Sequence, residues 1–182
     1  SVDFIVNATM RDDECLKYAE FPKAVDYFFN NKLCEMQMGD WIEVVEMLRR
    51  EVYVYKITFT GLEPTDSEEL PGLVKVARDF VTKLETNGIK FADKEYCNSF
   101  IDAKLDEVEV TLYSSNPEIH NIIAGIPGGF ESTLQGINNA LVAGFKVYVN
   151  IPIAKEEQNC LETIKYLYEI GVENVKCFRM FT

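Results

Sequence analysis

The sequence predicts an α/β protein in which helices cover a sheet of parallel strands. Three observations favour this class. Apolar runs rich in β-branched and aromatic residues alternate with segments of helical spacing, the glycines at 88, 144 and 171 each follow a predicted helix, and the chain begins and ends with predicted strands. Strands that alternate with helices are typical of right-handed βαβ units. This pattern alone does not decide between an open sheet and a partial barrel.

The elements of the first half follow from the spacing of apolar residues. The runs VDFIVNA and VYVYKITFT are rich in β-branched and aromatic residues and therefore predict strands. The predicted strands are 2–8, 52–60 and 89–92. The predicted helices are 23–31, 41–50, 70–84 and 99–104. The pair Asn87 and Gly88 is expected to end the helix over 70–84, because glycine commonly ends helices.

The second half repeats the alternation more regularly. The predicted strands are 107–113, 145–153 and 175–181. The predicted helices are 130–143 and 156–170, which Gly144 and Gly171 are expected to end. Since no low-complexity segment or long linker interrupts the pattern, we expect a single domain over 1–182.

Composition excludes several classes of function. The chain has 182 residues, with 18 Lys and Arg against 30 Asp and Glu, so its formal net charge is −12. Because this charge repels phosphate backbones, we expect no nucleic-acid partner. No apolar run approaches the ~20 residues of a membrane-spanning helix, so we expect no membrane partner. The five cysteines are irregularly spaced, which indicates a reducing, cytoplasmic compartment and no disulfide framework.

In such a fold the functional residues follow the carboxyl ends of the strands. This rule selects the segments 9–19, 61–65, 93–97, 114–120, 152–155 and 179–182. In the first segment, Asp12, Asp13 and Glu14 are either a divalent-cation site or a solvated acidic loop. The abundance of acids in this chain favours the loop. Cys15 beside them is expected to be a buried apolar residue rather than a nucleophile, because nearby acids disfavour a thiolate.

Two further segments carry polar groups that could hold a ligand. Gly61 permits close approach of the backbone, and Glu63 could accept hydrogen bonds from an amine, although the same residues also suit a plain turn. In the segment over 114–120, the side chains at 114–116 are expected to cap a helix that begins at Pro117. His120 is expected to be a hydrogen-bonded structural residue rather than a base.

Several of these segments together resemble the core domain of the radical S-adenosylmethionine (radical SAM) enzymes. TFTGLEPT resembles the FTGGEPT segment of that family, and the spacing PEIH…G…GGFE…T…GI resembles its stretch between the fourth and fifth strands. The LYSS variant resembles the peptide- and protein-maturing branch, whose members often carry a cysteine-rich SPASM domain. The resemblance spans 2–182. It implies a partial TIM-type (β/α)6 barrel of parallel strands with outer helices.

The resemblance also implies where the cofactor would lie. S-adenosylmethionine would bind at the carboxyl ends of the strands, on the segment formed by Gly61, Leu62, Glu63 and Pro64. Leu62 replaces the second glycine of that segment and is expected to crowd the ligand. The remaining cofactor-binding positions implied by the resemblance are Thr111, Ser114 and Asn150.

The chain departs from the family where the [4Fe–4S] cluster should be bound. The family places CxxxCxxC after the first strand, usually preceded by residues like TMR. Here TMR is followed by DDECLKYA, so Asp12, Leu16 and Ala19 occupy the cysteine positions and Cys15 is one position out of register. One thiolate cannot hold a cluster that needs three. A ligand set of Cys15, Cys97 and Cys177 is conceivable but unusual.

Two other features differ from relatives. The third loop is expected to read FADKEY, where many relatives have a TNG-like turn, and the chain stops at the sixth strand without a cysteine-rich tail.

Four interpretations follow. The favoured one is a radical-SAM-like domain without cluster ligands, an inactive module that binds a peptide or a catalytic partner and holds S-adenosylmethionine weakly. The second is an active enzyme that forms a 5′-deoxyadenosyl radical with unconventional ligands or with ligands from a partner. The third is a piece of a longer peptide-maturing protein. The fourth is a metal-binding domain that uses Asp12, Asp13 and Glu63.

Overall fold

Six strands form one sheet in which all neighbours are parallel. The computed structural model describes residues 2–7, 38–51, 54–153 and 157–179. The strands are β1 Val2–Asn7, β2 Val54–Thr60, β3 Val81–Thr86, β4 Glu107–Thr111, β5 Lys146–Ile153 and β6 Asn174–Arg179. Their order in the sheet is the order in the chain, with β1 and β6 at the two edges. This arrangement confirms the predicted α/β class with a parallel sheet.

Six α-helices and two short 3-10 turns are seen in the described part of the chain. The helices are α1 Met38–Glu51, α2 Leu70–Val76, α3 Lys94–Ala103, α4 Pro117–Ala124, α5 Gly129–Val142 and α6 Cys160–Glu169. The 3-10 turns are Pro64–Asp66 and Ile89–Ala92. Within these ranges no helix has the length and apolar character that a bilayer crossing requires.

The two faces of the sheet differ in chemistry because side chains alternate along each strand. The residues that pack against the helices are apolar: Ile57, Phe59, Leu84, Val108, Val110, Val147, Val149 and Ile151. The opposite face carries charged, amide and aromatic groups. We call it the polar face, formed by Lys56, Lys83, Glu85, Glu107, Glu109, Tyr148, Asn150 and Lys176.

The prediction of a single helix over 70–84 is wrong in its second half. Helix α2 ends at Val76, and Val81–Thr86 forms β3. The apolar residues at 80, 81 and 84 fit the spacing of a helical face. In the structure, however, Thr82 and Leu84 are both buried, and burial of every second residue is the pattern of a strand. The segment 89–92, predicted as a strand, is a 3-10 turn.

The remaining elements match prediction with shifted ends. Helix α3 begins before the predicted 99–104, because the Asp93 carboxylate accepts hydrogen bonds from the N–H groups of Glu95 and Tyr96 and caps the first turn. Asn116 caps α4 in the same way, which confirms the predicted start at Pro117. The helix predicted over 23–31 lies outside the described residues.

Helix α5 fixes the turn that follows β3. A Cβ atom at Gly136 would lie 2.0 Å from the Gly88 carbonyl oxygen, so only glycine lets this helix approach the turn. Gly88 itself has φ of 78°, a conformation that favours glycine. The Asn139 amide donates to the carbonyl oxygens of Phe91 and Ala92, at 2.8 and 3.0 Å. The carboxyl end of β3 is therefore held from the helical layer.

We predict that Gly136→Ala destabilises the protein by about 2 kcal/mol or more, because the added methyl group collides with backbone that cannot move alone. Urea denaturation measures the effect. The matched control is Gly39→Ala in α1, where a Cβ atom meets nothing within 4 Å. That change should be neutral or slightly stabilising. Equal stabilities of the two variants would contradict the prediction.

Candidate functional site

A cavity of about 350 Å³ opens at the carboxyl ends of β2, β3 and β4. It is lined by side chains and backbone from these strand ends, from the loops that follow them and from α4 and α5. The lining residues are Thr60, Gly61, Leu62, Glu85, Thr86, Asn87, Ile89, Thr111, Tyr113, His120, Ala124, Ile126 and Thr133. This is the edge of a parallel sheet where ligands bind.

The Glu63 carboxylate joins the loop after β2 to the end of β3. Its Oε1 atom accepts hydrogen bonds from Thr65 N–H at 3.2 Å, Thr65 Oγ1 at 2.6 Å and Thr86 Oγ1 at 2.6 Å. Its Oε2 atom accepts one from Asn87 N–H at 2.7 Å. Since protein donors engage both oxygens, Glu63 shapes the cavity rim and is itself absent from the lining. Because of these four hydrogen bonds, the Glu63 carboxylate has little capacity left for the metal site that was hypothesised with Asp12 and Asp13.

The rest of that loop presents backbone to the cavity. Gly61 lines it with φ of 149°, a value that other residues rarely adopt. Leu62 also lines the cavity and is 73% exposed, so it lies at the opening and not in the core. Pro64 is buried and begins the 3-10 turn that follows.

The turn after β3 contributes residues that sequence reasoning missed. Thr86, Asn87 and Gly88 spell TNG, so the TNG-like turn of relatives is present here, and the prediction of FADKEY in its place is wrong. Asn87 lines the cavity, and its carbonyl oxygen accepts a hydrogen bond from Thr133 Oγ1 at 2.9 Å. The error came from extending a helix through β3, which moved the loop to 93–97. The letters TNG directly after an apolar run were the available signal.

Thr111 at the end of β4 and His120 in α4 also line the cavity. His120 is buried, and its Nδ1 atom accepts a hydrogen bond from Tyr113 N–H at 3.2 Å. Burial lowers the pKa of His120, an effect that the charge of Glu131 only partly offsets. The imidazole is therefore neutral at pH 7, with its proton on Nε2. The expected structural hydrogen bond is present, and the ring also lines the cavity.

Four predicted cofactor positions lie outside the cavity lining, namely Glu63, Pro64, Ser114 and Asn150. Ser114 is buried, and its hydroxyl oxygen accepts a hydrogen bond from Asn116 N–H at 3.1 Å. Asn150 belongs to the polar face, where its Nδ2 atom donates to Glu109. Its Oδ1 atom is buried and has no hydrogen-bond partner. The structure thus brings Gly61, Leu62 and Thr111 to one cavity and leaves the other four predicted positions outside its lining.

The polar face below the cavity is a network of ion pairs. Glu109 accepts hydrogen bonds from Lys83 at 2.6 Å and Lys176 at 2.5 Å. Burial works to raise the pKa of Glu109, but Lys176, Lys83 and Asn150 outweigh it and hold the pKa below its usual range. Burial likewise works to lower the pKa of Lys83, and its two carboxylate partners, Glu109 and Glu85, raise it instead.

The described cysteines do not fit an iron–sulfur cluster. Cys97 is wholly buried in α3, and burial raises the pKa of its thiol to about 11, so it neither reaches the cavity nor ionises easily. Cys160 and Cys177 form a disulfide, because α6 begins beside β6. This is a single disulfide among the described cysteines and not a disulfide framework. With Cys97 buried and Cys177 paired, these two residues do not support the unusual ligand set of Cys15, Cys97 and Cys177.

No metal site appears in the described ranges. There, no group of three or more His, Cys, Asp or Glu side chains is placed to hold an ion. The predicted degenerate loop, with Asp12, Cys15, Leu16 and Ala19, lies outside the described residues, as does Cys34.

Comparisons with known proteins agree with this arrangement. The model of the radical SAM superfamily matches residues 26–167, so the chain belongs to that superfamily. Over 116 residues the chain is 33% identical to a probable GTP 3',8-cyclase of Thermococcus kodakarensis. The matched stretch covers 63% of this chain and 37% of that protein. The identification of the family from TFTGLEPT and the PEIH stretch is confirmed.

Solved structures share the fold. SuiB of Streptococcus suis, bound to its precursor peptide SuiA, superimposes with a TM-score of 0.72 at 14% identity, covering 97% of this chain and 39% of that chain. The enzyme anSMEcpe with AdoMet bound gives 0.68 at 17% identity, covering 80% and 41%. The predicted partial TIM-type barrel is therefore confirmed. The chain spans less than half the length of these relatives.

We predict that Glu63→Gln destabilises the protein by about 2 kcal/mol, because an amide group replaces one oxygen and faces N–H and O–H donors. Thermal and urea denaturation measure the loss. Glu68→Gln is the matched control, since that side chain is exposed on the same segment. If both variants unfold at the same temperature and urea concentration as the unchanged chain, Glu63 does not hold the two loops.

We predict that Glu109→Gln lowers the free energy of unfolding by about 2 kcal/mol at neutral pH. The change leaves the ammonium groups of Lys83 and Lys176 without this carboxylate, although Lys83 keeps its contact with Glu85. The stabilisation by Glu109 is present above its unfolded pKa of about 4.3 and is lost as the pH falls through the lower folded pKa. The difference between variant and unchanged chain should therefore shrink in acid. Urea denaturation across pH measures it, with the exposed Glu118→Gln as control. A difference that stays constant would contradict the assignment.

Proposed function

We propose that this chain is a radical-SAM-type barrel that binds an adenosyl cofactor and a peptide but does not itself hold the [4Fe–4S] cluster. One observation carries the proposal. The loop of Gly61 to Pro64 and the turn of Thr86 to Gly88 frame a cavity at the strand ends, whereas the 182 residues of this chain contain no CxxxCxxC. The fold around the cofactor is thus kept without the thiolates that the radical chemistry requires.

The donor set of the cavity suits S-adenosylmethionine. The cofactor carries an adenosine, an amino acid group and a sulfonium, which together need hydroxyl, backbone and carboxylate partners. Gly61 offers backbone groups, and Thr111 and Asn87 offer a hydroxyl and an amide from neighbouring strand ends. Glu63 holds the rim in place through four hydrogen bonds. These residues would bind and orient the cofactor, and no redox step is assigned to them.

A peptide partner is supported by two observations. Neighbours of this fold are solved with peptides bound, SuiA on SuiB and Kp18Cys on anSMEcpe. The cavity opens beside the exposed apolar side chains of Leu62 and Ile126, next to a polar face that a peptide backbone can hydrogen-bond. In this proposal the barrel binds a peptide for a catalytic partner that supplies the cluster.

The second candidate is an active enzyme that forms a 5′-deoxyadenosyl radical. Its support is the TMR that stands where the family places its cluster loop, together with Cys15 and Cys34, the two cysteines outside the described residues. In this candidate the missing ligands come from residues beyond the described ranges or from another chain. The two candidates differ in whether this chain alone takes up iron.

We predict that anaerobic reconstitution with iron and sulfide leaves fewer than about one iron per chain, against ~4 for a complete cluster. The measurement is iron and sulfide content after desalting, with an EPR spectrum of the reduced sample. A stoichiometric cluster with a reduced-state signal would overturn the proposal in favour of the active enzyme. Formation of 5′-deoxyadenosine under reductant would do the same.

Cofactor binding is tested on the same sample without iron. Isothermal titration with S-adenosylmethionine should show binding that is weak compared with cluster-chelated cofactor. No heat at any concentration would remove the cofactor-binding half of the proposal and leave the absence of a cluster standing.

A further inference from the structure

Two lysines lie on the polar side of the sheet at its last two strands. Lys146 is two residues before Tyr148 on β5, so its side chain projects on the same side of the sheet as the polar face. Its ammonium group lies 3.6 Å from the Glu107 carboxylate. On β6, the ammonium group of Lys176 lies 2.5 Å from the Glu109 carboxylate. We call Lys146 and Lys176 the lysine pair.

The carboxylates that contact the lysine pair already have other ammonium partners. Glu107 also binds Lys56, and Glu109 also binds Lys83 at 2.6 Å. Each of these buried carboxylates is therefore shared by two cations. Lys83 has a further contact with Glu85 at 2.9 Å, so among the described side chains of this ion-pair network four lysines meet three glutamates. The network carries one positive charge in excess.

The lysine pair is the part of this network that a ligand can reach. The side chains of Lys146 and Lys176 are 56% and 52% exposed, whereas that of Lys83 is 10% exposed. Their Nζ atoms lie 5.0 and 5.2 Å from the centroid of the Tyr148 ring, so one aromatic side chain brings them together. A hydrogen bond to Tyr148, supported by the charge of Glu107, raises the pKa of Lys146, which is therefore an ammonium at neutral pH.

The charge of the lysine pair is opposite to that of the chain. The formal net charge of the whole chain is −12, so most of its surface repels an acidic ligand. Strand β1 brings Asp3 into register with Lys56, but three strands separate β1 from β5 in the sheet. A local excess of positive charge on an acidic protein is complementary to a negatively charged group at that place.

We propose that the lysine pair binds an acidic side chain of a peptide that lies along β5 and β6. The inference rests on the proposed function, in which the barrel binds a peptide, and it gives that peptide a chemical class. Two ammonium groups beside one ring can both donate to a carboxylate, and such charge-assisted hydrogen bonds are stronger than neutral ones. Lys56 and Lys83 meanwhile keep their contacts with Glu107 and Glu109.

The test is an NMR titration of the full, isotope-labelled chain with two terminally blocked nonapeptides of glycine and serine. One peptide has Glu-Gly-Glu at its centre, and the other has Gln-Gly-Gln. We expect the glutamate peptide to bind about tenfold more tightly, because only it offers carboxylates to the lysine pair. It should also shift the amide signals of residues 146–150 and 174–178.

Variants of the lysine pair separate charge from shape. Lys146→Gln combined with Lys176→Gln should bring the affinities for the two peptides to within about twofold of each other. Lys146→Arg combined with Lys176→Arg keeps both charges and should keep the preference for glutamate. The matched control is Lys165→Gln, an exposed side chain on α6 that should change neither affinity.

The fold of these variants has its own support and its own check. Removal of the lysine pair leaves Glu107 bound to Lys56 and Glu109 bound to Lys83, so neither buried carboxylate loses its last cation. Thermal denaturation measures the stability of each variant. If the double glutamine variant fails to fold, Lys146→Gln alone should still weaken the glutamate peptide, by about threefold.

Three results would overturn the inference. They are equal affinities for the two peptides, a glutamate preference that survives in the glutamine variants, and signal shifts confined to residues outside β5 and β6. Equal affinities leave the peptide half of the proposed function standing, whereas the absence of binding by both peptides counts against that half as well. Binding of the glutamate peptide by a chain that does not bind S-adenosylmethionine removes the cofactor half and supports the inference.

Discussion

The whole arrangement depends on the alternation of apolar and charged side chains along parallel strands. Parallel sheets are usually apolar on both faces, because both faces are covered. In the described part of this chain one face packs against the helices, and the other carries lysines and glutamates that must find partners across the strands. Glu109 is buried between two ammonium groups, so a slip of one residue in register would separate these pairs and expose the apolar set.

A second constraint acts at the carboxyl ends of the strands, where hydrogen bonds from neighbouring segments hold the loops in position. Glu63 binds the end of β3 through Thr86 and Asn87, and α5 binds the same turn from the other side through Thr133. The rim of the cavity is therefore fixed from two directions.

Local sequence pattern predicts most strands of this sheet but fails at β3. The strands β2, β4 and β5 were predicted near their observed positions because each is a dense run of β-branched residues. Strand β3 was missed, since its apolar residues continue the spacing of α2 without a glycine or proline between them. That single error displaced the third loop and hid Asn87 from the list of site residues.

The sequence by itself determined the fold class, the family and the absence of a CxxxCxxC motif, because these reside in local patterns and in residue identities. Tertiary structure alone decided which side chains share the cavity. Gly61, Glu85, Asn87, Thr111 and His120 come from four separate segments, and their approach depends on strand register and on the packing of α5. The Ser114 hydroxyl instead accepts a hydrogen bond from Asn116 N–H and the Asn150 Nδ2 atom donates to Glu109, which no linear spacing reveals.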